Sequence, residues 1–386
     1  MSQFEEKVNR KGTDSIKYDA LKERYGSSDL QPLWIADMDF KTPDFIVDEV
    51  VEKTKESLFG YSFISDEVYN SLISWQKRRN EWDIKKEEIF FIPSVLVGMS
   101  LALKTFTDVG DSVIIQTPVY PPFASIVKDN KRKLITNELK NVDGRYEIDF
   151  DDLESKIEEN TKMIFLCSPH NPVGRVWSEE ELKRLGEICL KNDILIISDE
   201  IHSDLVHKKF IPIAKCDKSI ANITISFSAP TKTFNMAGLK IAYAICSNPE
   251  LLRRFKKAVN FLHIAEINTL GVVALKSAYD KGEKWVDELN KYLYGNYEFL
   301  KDYFKNNLPD IKVGDLEATY LIWLDFNSFD LSHKEIRDKL LNEAKIVLND
   351  GLTFGKNGNK FFRLNIALSK DELEIALNRI KGTFYN

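Results

Sequence analysis

MIFLCSPHNPVGRVWSEEELKRLGEICLKNDILIISDE, residues 163–200, decides the architecture. MIFLCS (163–168) is a short apolar run with strand character. PHNPVGRVW is a loop, and SEEELKRLGEICLKN is a helix whose start is marked by a capping box, Ser178 with Glu181. ILIISDE (194–200) is a second apolar run that ends in two acids. Strand, helix and strand in this order make a βαβ unit with parallel strands. Both strands lack polar alternation, which implies burial on both faces of the sheet.

The same alternation extends outward in both directions. Before it lie IFFIP (89–93), a helical segment from about Val95 to Phe106, SVIIQ (112–116), TPVYPPF with a helix to about Asn130, and KLITN (133–137). After it lie NITISFS (222–228) and GLKIAYAICS (238–247). Seven such runs predict an α/β fold, a mostly parallel seven-stranded sheet between helices. LWIADMDFKTP (33–43) precedes a helix with Thr42 as its N-cap. FGYSF (59–63) breaks that helix, and a second one covers 66–80. Beyond Pro249 the pattern gives helices over 250–261 and 268–306, then IKVGDLEATYLIWLDF, a helix near 332–344, FFRLNIAL and a last helix from Lys370. This part reads as a smaller α+β unit. The expected division is 45–285 as the large domain and 1–44 with 286–386 as the small one.

Length supports two domains, since 386 residues exceed the ~250–300 at which one core stops growing. The net charge of −6 argues against non-specific nucleic-acid binding. No apolar run reaches the ~18 residues of a membrane span, and the N-terminus has no signal-peptide h-region. Cys167, Cys189, Cys216 and Cys246 show no CxxC spacing, so neither a metal site nor a disulfide framework is expected and a reducing cytoplasm is.

Ligands of open α/β sheets bind outside the carboxyl ends of the strands, and several residues there carry chemistry. The helix start at Val95 and Leu96 offers free backbone amides to an anion. Tyr120, held between prolines, presents a face for stacking on a flat ring. Asn171 lies in an Asn-Pro turn and has an amide to donate. Asp199 ends a buried strand, where a carboxylate is costly unless paired; a protonated pyridine nitrogen would suit it, and so would a salt bridge. His202 follows on the same side of the turn. Lys232, in SFSAPTKTFNMAG (226–238), can point its amine into a cleft and form a Schiff base. Arg363 sits inside an apolar run and demands an anion, either a substrate carboxylate or an internal acid.

Taken together, Asn171-Pro-x-Gly, Asp199, Lys232 in T-K-x-F-N-x-x-G and Arg363 in F-R-L-N resemble the fold-type I pyridoxal-phosphate (PLP) enzymes of the class I/II aminotransferase superfamily. More narrowly, WIADMDF, FGY, PVYPPF, LCSPHNPVGRVW, SDEIHSDL and APTKTFNMAGLK are similar to the MalY/PatB-type cystathionine β-lyases. The resemblance implies pyridoxal 5'-phosphate on Lys232, with Asp199 on the pyridine nitrogen, Asn171 on the ring oxygen and Tyr120 on the ring face. It implies phosphate binding by Val95, Leu96, Thr231 and Lys240, and by Tyr61 reaching across to the neighbouring subunit of a homodimer. Arg363, with Ala36, Asp37 and Asn171, would hold a sulfur amino acid. The implied reaction is α,β-elimination to a thiol, pyruvate and ammonia; amino transfer and a non-catalytic regulatory role are the alternatives. Three positions depart from the broader pattern: Lys240 replaces an arginine, Ala229 a serine, and His202 a tyrosine.

Overall fold

The computed structural model describes residues 2–385. Its large sheet has strands β1 (Ile89–Ile92), β2 (Ser112–Thr117), β3 (Lys133–Glu138), β4 (Thr161–Cys167), β5 (Leu195–Asp199), β6 (Thr224–Ser228) and β7 (Ala242–Ile245). Their spatial order is β1-β7-β6-β5-β4-β2-β3. The pairs from β3 through to β6 are parallel, whereas β7 runs antiparallel to both β6 and β1. The carboxyl ends of β1, β2, β4, β5 and β6 therefore share one rim. Strand β2 is buried along its length, as its apolar run predicts, and β6 is too, although Thr224, Ser226 and Ser228 alternate with its apolar residues.

Helices cover both faces. They include α1 (Asp44–Lys55), α2 (Asp66–Asn80), α3 (Val95–Phe106), α4 (Pro122–Asp129), α5 (Glu179–Lys191), α6 (Pro249–Phe261), α7 (Thr269–Lys281) and α8 (Glu283–Asn307). The capping box on α5 forms, with Ser178 and Glu181 each bonding the other's backbone amide. A second, antiparallel sheet has strands β8 (Lys312–Val313), β9 (Leu321–Asp325), β10 (Asn349–Asp350) and β11 (Phe361–Asn365), in the order β8-β9-β11-β10. Helices α9 (His333–Asn342) and α10 (Lys370–Phe384) accompany it. Among the described residues no helix is long and apolar enough to cross a membrane.

Three local expectations are corrected. The helix expected over 268–306 is two, broken at Gly282, where a Cβ would lie 2.4 Å from the Phe234 ring and 2.3 Å from the Ala278 carbonyl oxygen. Absence of a side chain lets Phe234 stack on Trp285, with centroids 5.5 Å apart. Thr42 does not cap α1: Pro43 is the N-cap, and the Thr42 hydroxyl donates to the Asn235 carbonyl. The run 238–247 becomes a strand only at Ala242, because Lys240 takes a left-handed conformation, φ 51°, that turns the chain first.

The short strand β10 leads straight into Gly351. A Cβ there would sit 2.2 Å from the Phe361 carbonyl oxygen and 2.3 Å from that of Gly358, so only a hydrogen fits. Gly351→Ala should cost about 1–3 kcal/mol through overpacking against rigid backbone. A denaturant midpoint equal to that of the parent protein would show that the loop yields instead.

Candidate active site

The shared rim of the large sheet and the segment 34–40 enclose a cavity of about 200 Å³. Ala36, Val95, Leu96, Tyr120, Asn171, Asp199, His202, Thr231, Lys232 and Lys240 all line it. Residues far apart in sequence meet here because five strand ends and one helix start point to the same place.

Lys232 follows β6 on a tight turn, in which the Phe234 amide donates to the Pro230 carbonyl at 3.0 Å and the Met236 amide to that of Thr231 at 3.0 Å. Asn235 clamps this turn to the opposite wall: its Nδ2 donates to the carbonyls of Met38 (2.9 Å) and Phe40 (2.7 Å), and its Oδ1 accepts from the Met38 amide (3.0 Å). The Lys232 amine donates to the Ala36 carbonyl. Burial pushes its pKa down to about 8; Asp37 and Asp199 oppose that shift and Arg363 adds to it. Near neutral pH roughly a tenth of such an amine is unprotonated, far more than for an ordinary lysine, so it can act as nucleophile or base.

Asp199 shows the opposite displacement for the same reason. Burial raises its carboxyl to about 6, against the Ile201 amide, which donates to Oδ1 at 3.1 Å, and against Lys232. A carboxylate in this position is stabilised by a cationic partner. His202 is pushed down to about 3 by burial, helped by Lys232 and Arg363, so it is a neutral imidazole. Its Nδ1 has no partner among the described residues, which leaves a hydrogen-bonding atom free.

Arg363 lies on β11, buried, and does not itself line the cavity. Its Nη1 donates to Asn171 Oδ1 at 2.9 Å, and its Nη2 donates to the Trp34 carbonyl at 2.8 Å and Asn349 Oδ1 at 2.5 Å. Nε is unpaired among the described residues, and none of these partners is a carboxylate. Burial lowers the guanidinium to about 10. A cation kept by neutral acceptors retains its capacity for an anion. Because Asn171 accepts from Arg363 through Oδ1, its NH₂ end is the donor left for a ligand.

At the start of α3, Ser94 Oγ accepts from the Val97 amide at 3.3 Å. The amides of Val95 and Leu96 stay outside the helix's own ladder, beside the Thr231 hydroxyl and Lys240. This donor set suits a phosphate. Together, an anion cradle, a desolvated carboxylate, an amine of lowered pKa and an unpaired guanidinium nitrogen fit the phosphate, pyridine nitrogen, aldehyde and substrate carboxylate that pyridoxal phosphate chemistry requires.

Two expected residues stand elsewhere. Asp37 lies behind Ala36, with its carboxylate bonded by Arg10 at 2.6 and 3.0 Å. Tyr61 is 96% exposed and outside the cavity. Other residues were invisible in the sequence. Tyr320 donates to the Ala36 carbonyl at 3.0 Å and meets the His202 ring edge-on at 6.1 Å, but within β9's apolar flank it reads as core. Asn365 donates to the carbonyls of Ile35 and Asp37 at 2.7 Å each, and its spacing of two from Arg363 on one strand face was the available signal.

The sequence pattern of the class I and II aminotransferases matches residues 32–380. The chain belongs to that family. It is 38% identical to the cystathionine beta-lyase PatB of Bacillus subtilis over 98% of this chain and 99% of that one. Cystalysin from Treponema denticola, whose crystals contain pyridoxal 5'-phosphate, superposes with a TM-score of 0.95 at 36% identity, covering 98% of each chain. The PLP-bound C–S lyase of Staphylococcus hominis gives 0.91 at 33% identity, covering 99% of this chain and 98% of that one.

The electrostatics of this family member predict an acid-sensitive stability. His202 is neutral in the fold, with a pKa near 3 against ~6.5 unfolded, so its contribution is complete above pH ~6.5 and lost as pH falls toward 3. His202→Gln should flatten the acid limb by up to one proton, about 1.4 kcal/mol per pH unit. Stability measured from pH 7 to 4 checks this, and parallel curves for the two proteins would exclude it.

Proposed function

We propose that the protein is a PLP-dependent carbon–sulfur β-lyase acting on cystathionine or a related cysteine S-conjugate. The observation that carries the cofactor assignment is the buried Lys232 amine facing Asp199 in one cavity with an anion cradle. Full-length likeness to named cystathionine beta-lyases and C–S lyases favours elimination over amino transfer.

Lys232 would carry the cofactor covalently, with Asp199, Asn171, Tyr120 and His202 around its ring and Val95, Leu96, Thr231 and Lys240 around its phosphate. When bound, pyridoxal phosphate supplies an aldehyde for the substrate amine and a ring that accepts the electron pair left at Cα. Arg363, with Asn171 and the backbone at Ala36, would receive the substrate carboxylate, which orients the Cα–H bond. Lys232, basic near neutrality, takes the α-proton and can return it to the departing sulfur. Asp199, a buried carboxylate, would hold a proton on the ring nitrogen by charge pairing. The overall change consumes one water: R–S–CH₂–CH(NH₃⁺)–COO⁻ gives R–SH, pyruvate and ammonium.

The assembly belongs to the same proposal. Leu58, Phe59, Tyr61, Phe63 and Phe261 are exposed apolar side chains, and Ser62 Oγ and Thr269 Oγ1, 2.7 Å apart, hold the loop that carries four of them. A second copy of the chain covering them would bring Tyr61 toward its partner's phosphate site. The division into domains 45–285 and 1–44 with 286–386, and a cytoplasmic location suited to its free cysteines, complete the reading.

Purified protein should be yellow and should release pyruvate from cystathionine without any added keto acid. Lys232→Ala should remove the visible band and lower turnover by at least about 100-fold. A turnover that requires a keto acid would assign an aminotransferase instead, and sedimentation as a monomer would refute the shared site.

A further inference from the structure

Behind Asp199, on the face of the sheet turned away from the cavity, lies a polar cluster that the reaction as described does not use. Ser198 on β5 and Ser226 on β6 are register partners, so their side chains rise side by side from one face. Both hydroxyls donate to the same atom, Glu200 Oε1, each at 2.9 Å. A third serine, Ser228 at the end of β6, donates its hydroxyl to the Glu200 carbonyl at 3.1 Å. The Glu200 amide donates to the Phe227 carbonyl at 2.8 Å. Glu200 is 3% exposed, and among the described residues no cation bonds its carboxyl.

The Glu200 carboxyl fastens β5 to β6 through Ser198, next to Asp199, and Ser226, six residues before Lys232, and the Glu200 carbonyl adds Ser228, four residues before Lys232. Parallel strands lose their mutual hydrogen bonds where the ladder stops, so their ends would otherwise be free to splay. Three serine hydroxyls converging on one residue reinforce the ladder at its end, which lies at Asp199 and Phe227. A buried carboxyl is an expensive clamp, and burial raises Glu200 to about 7, with the two serine donors opposing and Asp199 adding to the shift. The groups that face it are Asp199, the Cys216 thiol and the Ile213 amide, none of them a cation.

We propose that Glu200 is a positioning residue: through Ser198, Ser226 and Ser228 it sets the placement of the Asp199 carboxylate relative to the Lys232 amine. The proposal rests on the cofactor assignment above but not on which reaction follows. Glu200→Gln keeps an oxygen that accepts from both serines, whereas Glu200→Ala leaves two buried hydroxyls without an acceptor.

The test is a pH titration of the visible cofactor band in the holoenzyme without substrate, with kcat and KM measured alongside. Glu200→Ala should move the titration midpoint by about half a pH unit or more, and should lower kcat about 10-fold while KM changes less than about 3-fold. Glu200→Gln should restore both to near the parent values. Should Glu200→Ala fail to fold, the Ser198→Ala, Ser226→Ala double variant removes the same two bonds and carries the same expectation. A parent-like midpoint and kcat with only a lower melting temperature would overturn the proposal, as would a Gln variant as impaired as the Ala one. If the parent protein itself showed no visible band, the cofactor assignment would fail rather than the clamp.

Discussion

One hydrogen bond holds the site together across the fold, the 2.9 Å contact from Arg363 Nη1 to Asn171 Oδ1. Arg363 comes from the four-stranded sheet and Asn171 from the loop after β4 in the seven-stranded sheet. A guanidinium buried among neutral acceptors is far from its best solvation. It is tolerated because Trp34, Asn349 and Asn171 each give it an oxygen and the Phe354 ring lies 5.1 Å away. Each of those neighbours is fixed in turn by its own element, so placement of the charge depends on both sheets being correctly docked.

A single physical effect, loss of water, tunes four ionisable groups in and beside the cavity. It raises Asp199, and lowers Lys232, His202 and Arg363. Asp199, Lys232 and Arg363 are thus displaced toward neutrality, and each would be relieved by a ligand charge of opposite sign or by covalent capture. Clustered shifts of this kind mark functional sites more than structural ion pairs do. The contrast lies nearby: Arg175 is just as buried but meets Glu317 at 2.9 Å and Glu181 at 2.8 Å, a closed set that asks for nothing further.

Much of this was legible in the sequence because burial on both faces of a sheet leaves unbroken apolar runs, and those runs located the strand ends. Charged residues at the ends or inside such runs, Asp199 and Arg363, stood out for the same reason. Gly282 did not, since helical periodicity continues on both sides of it and the break depends on Phe234 arriving from elsewhere. Tyr320 and Asn349 were hidden because a tyrosine or asparagine near a strand carries no signal until its partner is known. The serines of β5 and β6 were equally silent; only the register between the strands sets Ser198 beside Ser226.

The clamp of Asn235 on Met38 and Phe40, with Lys232 on Ala36, joins an early segment of the chain to a middle one, and Arg363 joins both to the last strand. A chain emerging from its N-terminal end therefore has no complete site until β11 has been made and paired with β9. Incomplete chains would have the lysine but neither the docked guanidinium nor the oriented asparagine. Since a ligand stabilises only the state that binds it, cofactor capture would select finished molecules. Holding the cofactor would then act as a checkpoint on synthesis, separating complete chains from fragments.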